Sequence, residues 1–197
     1  MIRAIIFDCF NVLVGDATKQ LLDDLALRDP DSRQQFSAIT HATDKGIISD
    51  AEAIAEQSRL LGMSQDDFVA MRNTGEVRNE PLLAYAEQLK PRFKIGMLSN
   101  VASRERLAIR FLPGQLETLF DAVIASGEVG TIKPEPEIFA IAAAQLGVLP
   151  EECVMIDDML ENCRGAEEAG MKAILHVTNQ QTITDLTALI DRGGERR

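Results

Sequence analysis

The chain has 197 residues, room for one α/β domain with a small insertion but not for two large domains. Its 46% hydrophobic content and mean hydropathy of -0.03 are those of a globular chain, and no apolar run approaches the length that a bilayer span needs. Lys plus Arg at 20 against Asp plus Glu at 31 gives a net charge of -11, which argues against nucleic acid or an anionic membrane as partner.

In chain order, Met1-Ile2-Arg3-Ala4 runs straight into a short apolar segment at 3–7, without the form of a signal peptide, so a cytoplasmic location is expected. Further β-branched-rich runs at 93–98, 121–125, 153–156 and 172–177 have the length of buried parallel strands. Helical patterns fall between and after them, at 80–90, 103–111, 136–147, 161–169 and 182–190. Pro134 and Pro136 mark a first turn, and Gly170 stands just past a last one. Such alternation predicts a parallel sheet with helices on both faces.

Residues 15–79 break the alternation. They carry no strand pattern but several amphipathic stretches. Ser49-Asp50-Ala51-Glu52 reads as a capping box opening a helix to Leu61, and Ser64 with Asp67 as the start of another. The expected organisation is therefore a core at 1–14 and 80–197 and a small α-helical cap domain at 15–79. Residues 193–197 are expected to fray. Cys9, Cys153 and Cys163, odd in number and without a C-x-x-C pair, support neither a disulfide framework nor a zinc site.

Ligands of open parallel sheets bind beyond the carboxyl ends of the strands. Four consecutive strand ends here deliver polar groups: Asp8-Cys9-Phe10-Asn11, Ser99-Asn100, Lys133-Pro134 and Asp157-Asp158. Three converging carboxylates repel one another unless a cation neutralises them. Oxygen donors without His or Cys favour a hard ion such as Mg²⁺. Lys133 adds a charge suited to an anionic substrate, and Ser99 a hydroxyl donor. Carboxylate, Mg²⁺ and lysine aimed at one point describe phosphoryl transfer, with one Asp attacking phosphorus.

The set Ile5-Ile6-Phe7-Asp8-x-x-Asn11-Val12-Leu13, Leu98-Ser99-Asn100, Gly130-x-x-Lys133-Pro134 and Ile156-Asp157-Asp158 resembles the four motifs of the haloacid dehalogenase (HAD) superfamily, in order and over nearly the whole chain. Pro134-x-Pro136-x-Ile138-Phe139 and the stretch from Asn162 to Gly170 resemble the subfamily with a helical cap after the first strand. The resemblance implies a Rossmann-like α/β core and makes Asp8 the nucleophile and a Mg²⁺ ligand. The Phe10 carbonyl, Asp157 and Asp158 would be further ligands, Asp158 directly or through water. Ser99 and Asn100 would bind phosphoryl oxygens. Lys133 would balance charge on nucleophile and substrate. A small phosphorylated metabolite is the expected partner, with the cap closing over the strand ends.

One position departs from the pattern. Two residues past the nucleophile, most family phosphatases carry a second Asp as general acid and base, whereas this chain has Phe10. A phenyl ring cannot protonate a leaving group, a function typically worth about 10²–10⁴ in rate. Three readings stay open: a Mg²⁺ phosphatase for esters that leave well, a 2-haloacid dehalogenase, or a catalytically weak relative that binds. Retention of both Asp157 and Asp158 favours the first, since a dehalogenase needs no divalent metal. Asp16 is the nearest other carboxylate in sequence. Arg72, Arg78, Asp23-Asp24 and Asp66-Asp67 read as solvated charge, His41 as surface, His176 as a satisfied strand-edge residue, and the cysteines as buried. The chain lacks the glycine-rich, Walker-type, His-Glu-x-x-His and Gly-x-Ser-x-Gly motifs of other enzyme classes.

Overall fold

The computed structural model describes residues 1–192; the segment expected to fray, 193–197, lies outside the described residues. Strands β1 (Ala4–Phe7), β2 (Lys94–Ser99), β3 (Ala122–Ala125), β4 (Cys153–Asp157) and β5 (Lys172–Leu175) form one parallel sheet in the order β3-β2-β1-β4-β5. The central strand β1 is wholly buried and divides its side chains between two core layers, Ile5 and Phe7 on one face and Ala4 and Ile6 on the other. Burial on both faces explains why the strands read as continuous apolar runs rather than alternating ones.

On the first face lie α5 (Glu80–Leu89), α6 (Arg104–Ala108), α7 (Gln115–Leu119) and α11 (Asn179–Arg192), contributing Leu82, Ala86, Leu107, Leu116 and Leu186. The second is covered by α9 (Pro136–Leu146) and α10 (Leu160–Glu168), through Ile138, Phe139, Ala142 and Ala166. Gly96 lets α9 come close, because a Cβ there would sit 2.9 Å from Leu146 Cδ1. The α/β sheet with helices on both faces is as the sequence pattern predicts.

Between β1 and β2 stand α1 (Lys19–Arg28), α2 (Pro30–Asp44), α3 (Asp50–Leu61) and α4 (Gln65–Gly75). Both arms of the Ser49–Glu52 capping box form, and α3 stops at Gly62, whose φ of 68° suits a residue without Cβ. Ser64 accepts from the Asp67 amide at the start of α4. The Phe36 and Phe68 rings meet edge to face at 6.2 Å, a small apolar centre for these helices.

Several boundaries differ from expectation. The 103–111 pattern shortens to α6, which ends at Ala108, ahead of the turn at Pro113 and Gly114, the latter at a φ of 76°. The last helix starts earlier, at Asn179, where polar residues hide the periodicity and the Thr178 hydroxyl accepts from the Gln181 amide. Pro134 lies outside the helix, which opens at Pro136. The short helices α7 and α8 (Ser126–Val129) have no sequence signal.

The α1–α4 segment touches the sheet domain along two lines. At one, the Ser126 hydroxyl donates to the Asp44 carbonyl at 2.5 Å and Lys45 pairs with Glu135 at 2.7 Å. Gly46 fits there because a Cβ would come within 2.6 Å of the Gly127 carbonyl. At the other, Glu76 reaches Arg106 and Arg110.

Candidate active site

Strand register brings the polar residues together. Phe7 is level with Met97 on β2 and Ile156 on β4, and the Asp8 amide continues the ladder by donating to the Ile156 carbonyl at 2.8 Å. Asp8 and Asp157 therefore leave adjacent strand ends side by side. Asn11, at a φ of 59°, takes the left-handed conformation that asparagine tolerates, and Leu13 and Val14 both donate back to the Cys9 carbonyl. This turn holds Asp8 at the mouth of the sheet. Among the described residues the Phe10 carbonyl accepts no backbone hydrogen bond.

Lys133 is the hub. Its Nζ lies 2.8 Å from Asp8 Oδ1 and 2.6 Å from Asp157 Oδ2, and its side chain is almost fully enclosed. Burial opposes its charge, but the two carboxylates outweigh that and hold the ammonium above the usual lysine range. Asn100 grips the Lys133 backbone, accepting from its amide at 2.8 Å and donating to its carbonyl at 3.0 Å. The Asn100 side chain is thus engaged in positioning the lysine, while both residues line the same cleft. Asp157 Oδ1 accepts from the Met159 amide and the Asn162 side chain, both at 2.9 Å, which ties β4 to the start of α10.

Asp8, Asp157 and Asp158 each present an oxygen within 4.8 Å of the others. Three carboxylates against one lysine leave an excess of two negative charges, which a divalent cation would cancel. Burial pushes the Asp8 carboxyl up to about 7, against the pull of Lys133 and with repulsion from Asp157 and Asp158. Burial and Asp157 likewise raise Asp158, which the Asn11 side chain partly offsets. All-oxygen donors under mutual strain fit a hard cation. Ser99 is buried, and its hydroxyl has no hydrogen-bond partner among the described residues.

Asp8, Ser99, Asn100, Lys133 and Asp158 line a cleft of about 310 Å³ that α2, α3 and α4 help to wall, with Asp157 buried behind Lys133. Its lining adds residues that carry no motif. Arg72, expected to be solvated, is mostly buried, packs over Phe68 and pairs with Asp50 and Glu76. Arg106 covers the Phe10 ring, with 5.4 Å from guanidinium carbon to ring centroid, and donates to Glu76 Oε1 at 2.6 Å. Glu76, Asp44 and Asp50 are the acids missed on this side. The only hints of the cluster in the sequence are Phe68 and Arg72 one helical turn apart and Arg106 in the first helix after Ser99-Asn100. Asp16 also reaches the cleft, held by the Thr18 amide and hydroxyl at 2.8 and 2.7 Å.

Other candidates fall outside the cleft. Arg78 pairs with Glu80, His41 is exposed, and His176 Nδ1 sits 2.7 Å from the Thr182 hydroxyl. All three cysteines are buried, and burial raises each thiol, that of Cys9 with help from Asp8, so none is a ready nucleophile. Asp23 and Asp24 are exposed on α1, and Asp67 serves the α4 cap. No helix among the described residues is long and apolar enough to cross a membrane.

The chain is similar to proteins of known class. A predicted HAD-like family hydrolase from Porphyromonas gingivalis superposes with a TM-score of 0.76 at 28% identity, over 96% of this chain and 98% of that one. A HAD family enzyme from Bacteroides thetaiotaomicron, solved in complex with magnesium and inorganic phosphate, has the same fold, with a TM-score of 0.73 at 23% identity over 91% and 96% of the two chains. Phosphatase MT3486 of Mycobacterium tuberculosis is 28% identical over 155 residues, 72% of this chain and 70% of that protein. Two further curated relatives at 30% identity are matched over 49% and 46% of their own lengths, so the chain spans about half of them. The family profile of haloacid dehalogenase-like hydrolases matches residues 2–170, and with its motifs gathered at one sheet edge, the chain belongs to that family.

Proposed function

We propose that the protein is a Mg²⁺-dependent phosphatase that hydrolyses a small phosphate monoester through an aspartyl-phosphate on Asp8. The observation that carries this reading is Lys133 held between Asp8 and Asp157, with Asp158 beside them and an unpartnered Ser99 hydroxyl in the same cleft. The phosphatase relative and the magnesium and phosphate bound by the Bacteroides enzyme support it. Residues 15–79 act as a cap over a core of 1–14 and 80–197, walling the cleft and limiting water. An acidic chain with three buried free cysteines suits the cytoplasm.

Asp8, Asp157, Asp158 and the Phe10 carbonyl would hold the ion. When bound, it would cancel the excess negative charge and stabilise charge on the transferring phosphoryl group. An Asp8 oxygen attacks phosphorus, forming one P–O bond while the ester P–O bond breaks and its electron pair leaves with the alkoxide or phenoxide. Water then attacks phosphorus, releasing inorganic phosphate and restoring Asp8. Ser99 donates to a phosphoryl oxygen, and Lys133 favours the charged form of Asp8 against burial and offsets the phosphate charge. With Phe10 where the second Asp would stand, substrates with good leaving groups are favoured.

Release of p-nitrophenol from its phosphate tests this. Activity with Mg²⁺ that disappears with EDTA and falls at least about 10³-fold in Asp8→Asn is expected for loss of a nucleophile. No activity above that of the variant at saturating Mg²⁺, or metal-independent halide release from 2-haloacids, would overturn the reading.

A further inference from the structure

Two buried polar side-chain atoms lack a hydrogen-bond partner among the described residues, Ser99 Oγ and Arg106 Nη1. Both residues line the same cleft. Orphaned buried donors are rare in native proteins and costly unless something fills them, the more so when charged. Ser99 is accounted for by the phosphoryl group of the proposed reaction. Arg106 is not, since it belongs to none of the four motifs.

Arg106 is 8% exposed, spends Nη2 on Glu76, and rests on the Phe10 ring. Its surroundings carry an imbalance of charge. Arg72, Arg106 and Arg110 converge on Glu76, and Arg72 also meets Asp50, so three guanidiniums share two carboxylates. Asp44 is the next acid facing Arg72 and Arg106. Burial raises its carboxyl to about 7 despite those cations and Lys133, so it supplies only part of the third negative charge near neutral pH. A buried cationic surplus beside an unfilled N–H donor calls for an anion. A sugar hydroxyl would fill the donor and leave the charge. A carboxylate does both, and its planar pair of oxygens matches guanidinium geometry.

We propose that Arg106, with Arg72 beside it, receives a carboxylate of the substrate, so that the ester hydrolysed is a small phosphorylated acid. This inference rests on the phosphatase reading and adds the substrate class. The cleft, about 310 Å³, holds a phosphoryl group and a carboxylate joined by a short carbon linker. Phe10 gains a purpose in the same picture. In place of a second acid it offers an aromatic face that steadies the guanidinium.

The test uses isosteric pairs, 3-carboxyphenyl phosphate and 3-(carboxymethyl)phenyl phosphate, each against its primary amide. A charged hydrogen bond that forms only with the acid should raise its kcat/KM about 10- to 100-fold over the amide. Arg106→Gln should erase that ratio by slowing the acid alone, and Arg106→Lys should keep part of it. Arg110→Gln, which removes a neighbouring charge on Glu76 but no group of the cleft lining, should lower the ratio by less than Arg106→Gln does. Equal kcat/KM for acid and amide in the native protein would overturn the inference while leaving the phosphatase intact. So would a loss in Arg110→Gln equal to that in Arg106→Gln, which would reduce Arg106 to a structural tie. If no ester turns over, the phosphatase reading fails by itself. Calorimetric binding of the same pairs to the Asp8→Asn protein with Mg²⁺ then decides the inference, with equal affinities overturning it.

Discussion

Asp44 makes plain how burial and charge compete at single residues. Its carboxyl faces Lys133, Arg106 and Arg72, yet burial dominates and holds its proton up to about 7. In the unfolded chain the same group would release its proton near 4. Between those values the native state binds the extra proton, so stability falls as pH rises from about 4 to 7. Asp44→Asn keeps the shape and removes the buried charge. It should match the native protein at pH 4 and exceed it at pH 8 by about 1–4 kcal/mol, a Tm gain of several degrees in calorimetric scans. An equal Tm at pH 8 would mean that the Asp44 charge is fully matched by its cationic neighbours. Asp44 also shows where sequence reading stops. Asp8, Ser99, Lys133, Asp157 and Asp158 could be singled out because each ends or comes soon after a strand that reveals itself by its apolar run. Asp44, Glu76 and Arg106 stand in helical or connecting segments, and their meeting depends on how α1–α4 lie against α6, which no periodicity encodes.

At the scale of elements, the parallel sheet was legible because each strand is a short apolar run ended by a polar or turn residue. The helix starts were legible through Ser49, Ser64 and Pro136. Less visible was how tightly α10 seats against the loop that carries Lys133. Gly165 permits it: a Cβ there would lie 2.3 Å from the Pro134 carbonyl oxygen. Backbone cannot yield as a flexible side chain would, so Gly165→Ala must push α10 and the Lys133–Pro134 loop apart. Overpacking of this kind costs about 1–3 kcal/mol. Because Asn162 on α10 also holds Asp157, the variant should lose the proposed phosphatase activity by more than its fall in thermal stability explains. A variant with native activity and native Tm would show that the loop can give way.

For the molecule as a whole, the two lines of contact between α1–α4 and the sheet domain differ in kind. The Lys45–Glu135 pair has side chains 28% and 43% exposed, and exposed pairs contribute about 0–1 kcal/mol and weaken with salt. The Glu76 cluster is buried, and removing a partner from such a group costs about 3–5 kcal/mol. The Ser126–Asp44 hydrogen bond adds a modest tie on the Lys45 side. Hydrogen exchange at residues 45–48 should therefore speed up as salt is raised, while residues 72–78 stay protected. Equal acceleration at both would remove the distinction.

That inequality makes the Glu76 side the firmer attachment of the helical segment and the Lys45 side, at Glu135, the weaker one. Glu135 also accepts from the Thr131 hydroxyl and the Ile132 amide, within the loop that sets Lys133. Loss of the Lys45 contact would take one cationic partner from the carboxylate that braces this loop, so the weaker edge of the helical segment and the loop that carries Lys133 meet at one side chain.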